Sequence, residues 1–266
     1  MKITQLLPAL LLSGIATGAM AQGFSIGPKV GANFSTFAVS AYNISTPIGD
    51  LAVEDMESDT EMQIGPQAGL MFNFAFNETY SFQPELLYSV KGYKQTGTYK
   101  GLKSGDMFAG QERDYSIKLN YIELPVLFKV SVGSPTVKGN FMIGPYVSYL
   151  IGGENNLTLG STEIFKGDVN YEFTEENQNY YFERVDYGAT VGAGVSFRTT
   201  AGSFLLDARY SIGIPEATTY DPSLGDIAVR NRNSTIGISL GYLYHFPYTP
   251  KAPKDYGGVF DDDYSF

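Results

Sequence analysis

Residues 235–246, TIGISLGYLYHF, alternate apolar side chains with small or polar ones over most of their length. The apolar members are Ile236, Ile238, Leu240, Tyr242, Tyr244 and Phe246, and the intervening small or polar members are Thr235, Gly237, Ser239, Gly241 and His245. A period of two places successive side chains on opposite faces of a β-strand. The stretch therefore predicts a strand with one apolar face and one face of small and polar residues.

The same period recurs along the chain and predicts about eight strands. The other seven segments are residues 24–34, 62–74, 81–91, 115–129, 137–151, 186–198 and 203–213. Each is near the length of roughly ten residues that a tilted membrane strand needs.

The connections between these segments fall into two alternating classes of length. Short connections lie at residues 77–79, 131–136 and 199–202, and long ones lie at residues 35–61, 94–114, 152–185 and 215–232. Outer-membrane barrels have short periplasmic turns and long extracellular loops. The pattern predicts a closed up-and-down antiparallel transmembrane β-barrel of about eight strands. Ten strands is the alternative, because alternating residues inside 152–185 could add a hairpin.

The composition agrees with a barrel and excludes several kinds of site. Only 17% of residues are charged, against roughly 25% in an average soluble domain, while the chain has 30 Gly, 20 Tyr and 18 Phe. The absence of Cys excludes disulfides and thiolate chemistry, and the single His weakens imidazole schemes. A net charge of −10 argues against sequence-independent nucleic-acid binding. We expect no enzyme activity, no cofactor and no metal centre.

Two local irregularities are expected within the strands. The apolar phase shifts by one residue near Tyr121, which predicts a β-bulge there. Pro28, Pro66, Pro84 and Pro145 each remove a ladder donor, and we expect bulges or ladder gaps beside them.

The chain ends differ from the barrel in composition. Residues 1–21 combine Lys2, a short apolar run and an Ala19-Met20-Ala21 cleavage signal, and they predict a secretory signal peptide. Residues 22–246 form the predicted barrel domain. Residues 247–266 are rich in Pro and Asp and predict a periplasmic tail, with a docking peptide for a periplasmic partner as the functional alternative.

Charged residues on the small-residue faces of the strands are expected to point into the lumen. The predicted lumen charge network is Lys29, Glu85, Lys91, Glu123, Lys129, Asp186, Arg198, Asp207 and Arg209, with Lys138 on the same face. An eight-stranded barrel is just wide enough for side chains to fill it. We therefore expect paired charges that close the lumen, and a selectivity lining is the alternative.

His245 and the acidic loops carry weaker functional signals. No Ser and acid stand near His245 in the predicted arrangement to complete a triad, so a structural His is expected. The loops at 35–61 and 152–185 are acidic, but they lack the spacing of a preformed calcium loop. A solvated surface is the expected role, with divalent bridging to lipopolysaccharide as the alternative.

Aromatic residues cluster beside the short turns and predict an interfacial girdle. Its members are Phe74, Phe76, Tyr80, Phe82, Phe128, Phe141, Phe197, Phe204 and Tyr244. With both barrel termini on that side, the girdle marks the periplasmic interface.

Several segments together resemble the PorT-like outer-membrane β-barrel family. They are IGPKVGANFSTF at 26–37, YIELPVLFKV at 121–130, GPYVSYLIGG at 144–153, GAGVSF at 192–197, RYSIGI at 209–214 and ISLGYLYHF at 238–246. The resemblance implies an outer-membrane barrel of Gram-negative bacteria in the porin family, and the even number of predicted strands leaves both termini in the periplasm. The resemblance also implies that Tyr242, Tyr244 and Phe246 form the signal read by the barrel-assembly machinery, although here a further segment follows Phe246.

The sequence supports three roles for such a barrel. The first is a structural or binding role through acidic extracellular loops, with lipid and lipopolysaccharide as surroundings. The alternatives are a small-solute porin and an accessory component of protein secretion across the outer membrane, with a partner bound through the tail.

Overall fold

The computed structural model describes residues 23–40, 58–98, 110–169, 180–215, 218–220 and 230–246. These residues form eleven β-strands. They are β1 (Gly23–Ser40), β2 (Ser58–Ala75), β3 (Tyr80–Thr98), β4 (Glu112–Gly133), β5 (Val137–Leu159), β6 (Thr162–Asp168), β7 (Tyr180–Phe182), β8 (Val185–Arg198), β9 (Gly202–Gly213), β10 (Thr218–Tyr220) and β11 (Arg230–His245). Within the described ranges, no helix is long and apolar enough to cross a membrane. The proposed signal peptide and tail lie outside these ranges.

Eight strands close into an antiparallel ring in the order β4-β3-β2-β1-β11-β9-β8-β5, and β4 pairs with β5 to complete it. The first and last strands pair from Ser25 opposite His245 to Ser40 opposite Arg230. The predicted all-β barrel of about eight strands is confirmed, and the described residues adopt this form rather than the ten-stranded alternative. β6 adds to the ring as a hairpin on the upper part of β5, and β7 pairs with β10 in a separate ribbon.

Over most of the wall the inward faces of the strands are polar and the outward faces are apolar, which is the reverse of a soluble barrel. Inward polar residues such as Lys29 and Ser239 are almost fully buried, whereas outward Val30 and Leu240 are 57% and 53% exposed. On β1 the outward apolar belt runs from Phe24 to Phe34, which spans about 25 Å for a strand tilted by roughly 40°. That height matches the apolar band of an outer-membrane barrel.

The belt has an aromatic rim at each end. At the short-turn end the Phe24 ring contacts both Phe74 (centroids 5.1 Å apart) and Phe246 (5.5 Å). At the other end the exposed outward aromatics are Tyr88, Tyr149, Tyr187 and Tyr210. One rim therefore consists of Tyr rings with a polar tip, and the other consists mostly of Phe. These two rims mark the two water–lipid interfaces of the barrel.

Beyond the upper aromatic rim, β4 exchanges the character of its two faces. From residue 122 towards the short-turn end, the inward residues of β4 include Glu123 and Lys129, and its outward ones are apolar. From Tyr121 back to Tyr115 the inward residues are buried apolar side chains, and the outward ones are polar, such as Ser116 and Lys118. The upper part of the strand therefore has the pattern of a soluble sheet, with its core inside and its polar side in water.

The β-bulge predicted near Tyr121 is present in the β4–β5 pairing, but it lies on the partner strand and does not cause the phase change. Odd-numbered residues of β4 from Arg113 to Lys129 face inward without interruption, so β4 contains no bulge. The pairing with β5 shifts between Asn120 and Tyr121, where Asn120 lies opposite Gly152 and Tyr121 lies opposite Leu150. The extra residue is Ile151, on β5. The apolar phase shifts because the environment around β4 changes, not because the backbone does.

The prolines behave as expected. Pro28 lies in a gap of the β1–β11 ladder between Ile26 and Lys29, and Pro66 lies in the register shift of β2 against β3. The ladder between β3 and β4 is interrupted after Pro84, and that between β4 and β5 is interrupted at Pro145. Each gap accommodates a residue that cannot donate a ladder hydrogen bond.

Candidate functional site

Four charged side chains form an ion-pair cluster across the middle of the lumen, here called the central cluster: Lys29, Glu85, Asp207 and Arg209. Arg209 donates from Nη1 to Glu85 Oε2 and from Nη2 to Glu85 Oε1, both at 2.8 Å. Its Nε lies 2.9 Å from Asp207 Oδ1. Lys29 Nζ lies 3.2 Å from Glu85 and 3.4 Å from Asp207. Two cations and two carboxylates balance each other with almost no exposure to solvent.

The central cluster spans the full width of the barrel. β3, which carries Glu85, and β9, which carries Arg209, are four places apart in a ring of eight and therefore lie on opposite walls. A bidentate guanidinium–carboxylate pair is rigid and directional. It acts as a crossbar that ties the two walls together.

Uncharged groups complete the hydrogen bonding of the central cluster. Gln83 Nε2 donates to Glu85 at 2.7 Å, and Ser239 Oγ donates to Asp207 at 2.7 Å. Lys129 joins through Gln83, donating to its Oε1 at 2.6 Å. Space for Arg209 comes from Gly192 on β8, because a Cβ there would lie 2.8 Å from the Arg209 Cγ.

A second polar layer, the upper cluster, lies nearer the long-loop end and contains Lys91, Glu123 and Asp186. Lys91 forms an ion pair with Glu123, and its Nζ lies 4.8 Å from the centre of the Tyr146 ring. Asp186 accepts hydrogen bonds from the Tyr146 hydroxyl at 3.2 Å and from Asn233 at 2.9 Å. A cavity of about 20 Å³, room for one water, adjoins both clusters.

Above the upper cluster the lumen is filled by an apolar cap. Its buried side chains are Tyr93, Tyr115, Ile117, Leu119, Tyr121, Leu150, Leu157 and Val169. They come from β3, β4, β5 and the end of the β6 hairpin, whose turn contains Gly160 at a φ of 56°. Burial raises the pKa of the Tyr115 hydroxyl, and the Arg113 charge beside it acts in the opposite direction. The cap makes the upper lumen an apolar core.

At the short-turn end the lumen widens into a polar cavity of about 110 Å³, here called the short-turn mouth. Lys129, Lys138, Arg198 and His245 line it together with several small polar residues. His245 lies between two serines: its Nδ1 is 2.7 Å from Ser25 Oγ and its Nε2 is 2.8 Å from Ser203 Oγ. Both ring nitrogens are therefore satisfied. Two serines next to His245 were not expected from the sequence, and no described carboxylate hydrogen-bonds to its ring.

The nine residues of the predicted network lie in three places. Lys29, Glu85, Asp207 and Arg209 form the central cluster, with Lys129 attached to it, and Lys91, Glu123 and Asp186 form the upper cluster. Arg198 lies apart, exposed at the short-turn mouth. Sequence reasoning did not single out Gln83, Tyr146, Ser239 or Asn233, although their positions on the inward phase could have indicated them. For the apolar cap, the alternation assigns only Tyr115, Ile117 and Leu119 to the apolar face of a strand, and it does not indicate that these side chains fill the lumen.

Three ion pairs outside the lumen lie above the belt. Lys94 lies 3.5 Å from both Glu61 and Asp114, and Lys166 lies 3.2 Å from Glu154. Among the residues that the structure describes, no group of three or more His, Asp or Glu side chains is placed to hold a metal ion. Acidic residues of the two long loops at 41–57 and 170–179 lie outside the described ranges.

The residues of the proposed assembly signal lie on the lipid-facing side of β11 at the short-turn end. Tyr244 and Phe246 are 44% and 47% exposed, and their rings meet edge to face at 5.2 Å. The Tyr242 ring packs against Phe204 at 4.8 Å. Their recognition by an assembly machinery stays a prediction.

Comparison with known proteins gives one family match and several structural likenesses. A family model described as "Outer membrane protein beta-barrel domain" matches residues 20–218. No curated protein matches the sequence.

Three solved structures illustrate the likenesses. The outer membrane protein OprG from Pseudomonas aeruginosa is 11% identical with a TM-score of 0.44, covering 85% of this chain and 97% of that protein. The attachment invasion locus protein Ail of Yersinia pestis is 13% identical with a TM-score of 0.35, covering 84% and 99%. Neisserial surface protein A is 13% identical with a TM-score of 0.38, covering 84% and 97%.

Proposed function

Because this chain belongs to the outer membrane protein beta-barrel domain family, we propose that it works as a closed outer-membrane barrel with a structural and binding role. The outer-membrane location follows from the family. The observation that carries the proposal is the crossbar between Arg209 and Glu85, which spans the lumen with both side chains buried. A barrel blocked at mid-membrane acts through its surfaces rather than through a pore.

The short-turn end faces the periplasm in this proposal. The three short turns, at residues 76–79, 134–136 and 199–201, share one end of the barrel with the start of β1 and the end of β11. Short periplasmic turns are the rule in outer-membrane barrels. The long connections and the apolar cap then lie outside the cell.

The extracellular end provides the contact surface. β4 and β5 continue beyond the lipid belt as a sheet with a polar outer face and the apolar cap on its inner face. β6 extends this sheet and exposes Ile164 (43%) and Phe165 (42%) above the belt. A sheet supported by a packed core is a rigid platform for a binding partner, and the acidic loops adjoin it.

Conductance of the purified chain in planar lipid bilayers tests the closed lumen. We expect no stable large conductance steps, whereas a sixteen-stranded porin in the same bilayers serves as the positive control. Regular steps would establish the small-solute porin instead. That alternative requires a continuous water path, but the cavity in the middle of the described barrel holds only about one water.

Co-purification in mild detergent tests the binding role and separates it from a PorT-like role in secretion. We expect a partner captured by the intact chain to be lost on Ile164→Ser with Phe165→Ser, while heat stability is unchanged. Ser161→Thr with Thr162→Ser, at neighbouring exposed positions, is the matched control. Capture of secretion components that survives the β6 variant but is lost on deleting residues 247–266 would favour the secretion role.

Contact with lipid, lipopolysaccharide and the assembly machinery belongs to the same proposal. The belt supplies the lipid surface, and the residues outside it on the extracellular side carry both signs of charge, including Lys166 and Glu154. Catalysis is not part of the proposed role.

A further inference from the structure

The short-turn mouth carries more positive than negative charge. Lys129, Lys138 and Arg198 line it, against one carboxylate, Glu78, among its described lining residues. None of these three cations forms an ion pair with a described residue. Lys129 donates to the neutral Gln83 side chain. Lys138 donates to the backbone carbonyl of Glu78 at 2.7 Å. A cleft lined by one sign of charge concentrates ions of the opposite sign, so the mouth is suited to a small anion.

Two buried polar groups that line the mouth have no hydrogen-bond partner among the described residues. They are Asn73 Oδ1 and Ser81 Oγ, on residues that are 7% and 5% exposed. The amide oxygen can only accept a hydrogen bond, whereas the hydroxyl can both donate and accept. Because unsatisfied buried polar groups cost free energy, the mouth favours a ligand that offers a donor as well as acceptors.

These two groups lie on the part of the barrel wall that also carries Lys129. Ser81 on β3 lies directly opposite Lys129 on β4. On the other side of β3, Ala75 of β2 lies opposite Ser81. Asn73 is two residues from Ala75 on the same inward face, so it is a diagonal neighbour of Ser81. An acceptor, a hydroxyl and a cation therefore follow one another on three adjacent strands and line one cavity of about 110 Å³, larger than one water needs.

We propose that the short-turn mouth binds inorganic phosphate and that Asn73 Oδ1 makes the site prefer phosphate to sulfate. At neutral pH inorganic phosphate keeps at least one P–OH group, which donates to Asn73 Oδ1. Its other oxygens accept from the Ser81 hydroxyl and the Lys129 ammonium. Sulfate has the same tetrahedral shape but no proton to donate, so in the same position it leaves Asn73 Oδ1 facing another acceptor. The penalty for a buried acceptor without a donor corresponds to about tenfold in affinity.

Isothermal titration calorimetry of the full chain in detergent micelles tests the proposal, with sodium phosphate and sodium sulfate titrated at neutral pH and equal ionic strength. We expect phosphate to bind about tenfold more tightly than sulfate. Methyl phosphate, a monoester that has lost most of its last P–OH proton at neutral pH, should bind as weakly as sulfate. Absence of phosphate binding would overturn the proposal. Equal affinities of phosphate and either of the other two anions would also overturn it, because charge alone would then explain the binding.

Variants of the mouth separate recognition of the proton from attraction by charge. Asn73→Ala removes the acceptor, and phosphate and sulfate should then bind within about twofold of each other. Asn140→Ala is the matched control and should keep the preference, because Asn140 lines the same mouth but its amide accepts from Ser131 and donates to the Lys138 carbonyl. Lys138→Gln with Arg198→Gln should weaken both anions about fivefold and leave their ratio unchanged. A phosphate preference that survives Asn73→Ala in a chain with the gel mobility of a folded barrel would overturn the assignment.

Discussion

The crossbar of the central cluster can be tested by removing one of its ends. Glu85→Met deletes a carboxylate that accepts two hydrogen bonds from Arg209, one from Gln83 and one from Lys29. Arg209 and Lys29 are then left with Asp207 as their one carboxylate partner in the cluster. Breaking a buried ion pair in this way costs about 3–5 kcal/mol. We expect about 3 kcal/mol, since Asp207 still compensates one of the two cations.

The double variant Glu85→Met with Arg209→Met distinguishes this cause from simple loss of packing. It removes one charge of each sign and leaves Lys29 paired with Asp207 at 3.4 Å. Replacing a buried ion pair by apolar side chains of similar volume is often close to neutral. We therefore expect the double variant to be more stable than either single variant, with a coupling free energy of about 2 kcal/mol.

Unfolding by urea, followed by far-ultraviolet circular dichroism and by the heat-dependent gel mobility of folded barrels, gives the free energies of this cycle. Tryptophan fluorescence cannot be used because the chain contains no Trp. Glu123→Met, which removes a carboxylate of the upper cluster, checks that any single buried charge loss is measurable. Additive effects of the two single substitutions would refute the crossbar, because independent side chains do not couple.

Three further predictions address the wall, the strand closure and the cap. Leu240→Arg, at an outward position 53% exposed in the middle of the belt, should lower the free energy of unfolding in lipid by about 2–4 kcal/mol. Ile164→Arg, above the belt, should lower it little. Equal losses of stability in a urea titration would contradict the placement of the belt. Gly27→Ala should abolish the folded band on a gel, since a Cβ there would overlap the Tyr242 carbonyl oxygen of the last strand, whereas Gly152→Ala, with open space around it, should fold normally. Leu119→Ala, at a fully buried position of the cap, should lower stability by about 2–4 kcal/mol and speed proteolysis of the long-loop end, while the outward Ser116→Ala should change neither.

The sequence predicts the barrel well because alternation records which face of each strand meets lipid. Residues 235–246 and their seven counterparts recur as strands of the ring, and the two classes of loop length place the turns correctly. The inward phase also identifies Lys29, Glu85 and Arg209 as lumen residues. Their partners could not be derived, because contacts across a lumen depend on which strands lie opposite each other after closure.

The apolar cap shows where alternation becomes ambiguous. Ile117 and Ile122 look alike in the sequence, yet one is buried inside the barrel and the other faces lipid. A period of two gives the relative side of a residue and not the medium on that side. The medium changes from lipid to water along β4, so an uninterrupted strand produces a shifted apolar pattern.

This exchange of faces along β4 also fixes how deeply the barrel sits in the bilayer. Sliding the barrel inward by two residues would bring Asn120 and Lys118 into hydrocarbon, and sliding it outward would expose Ile122 and Leu124 to water. Both displacements are unfavourable, so the depth of immersion has a minimum set by the strand itself. In a bilayer of different thickness, the lipid around this protein would therefore deform before the barrel moved.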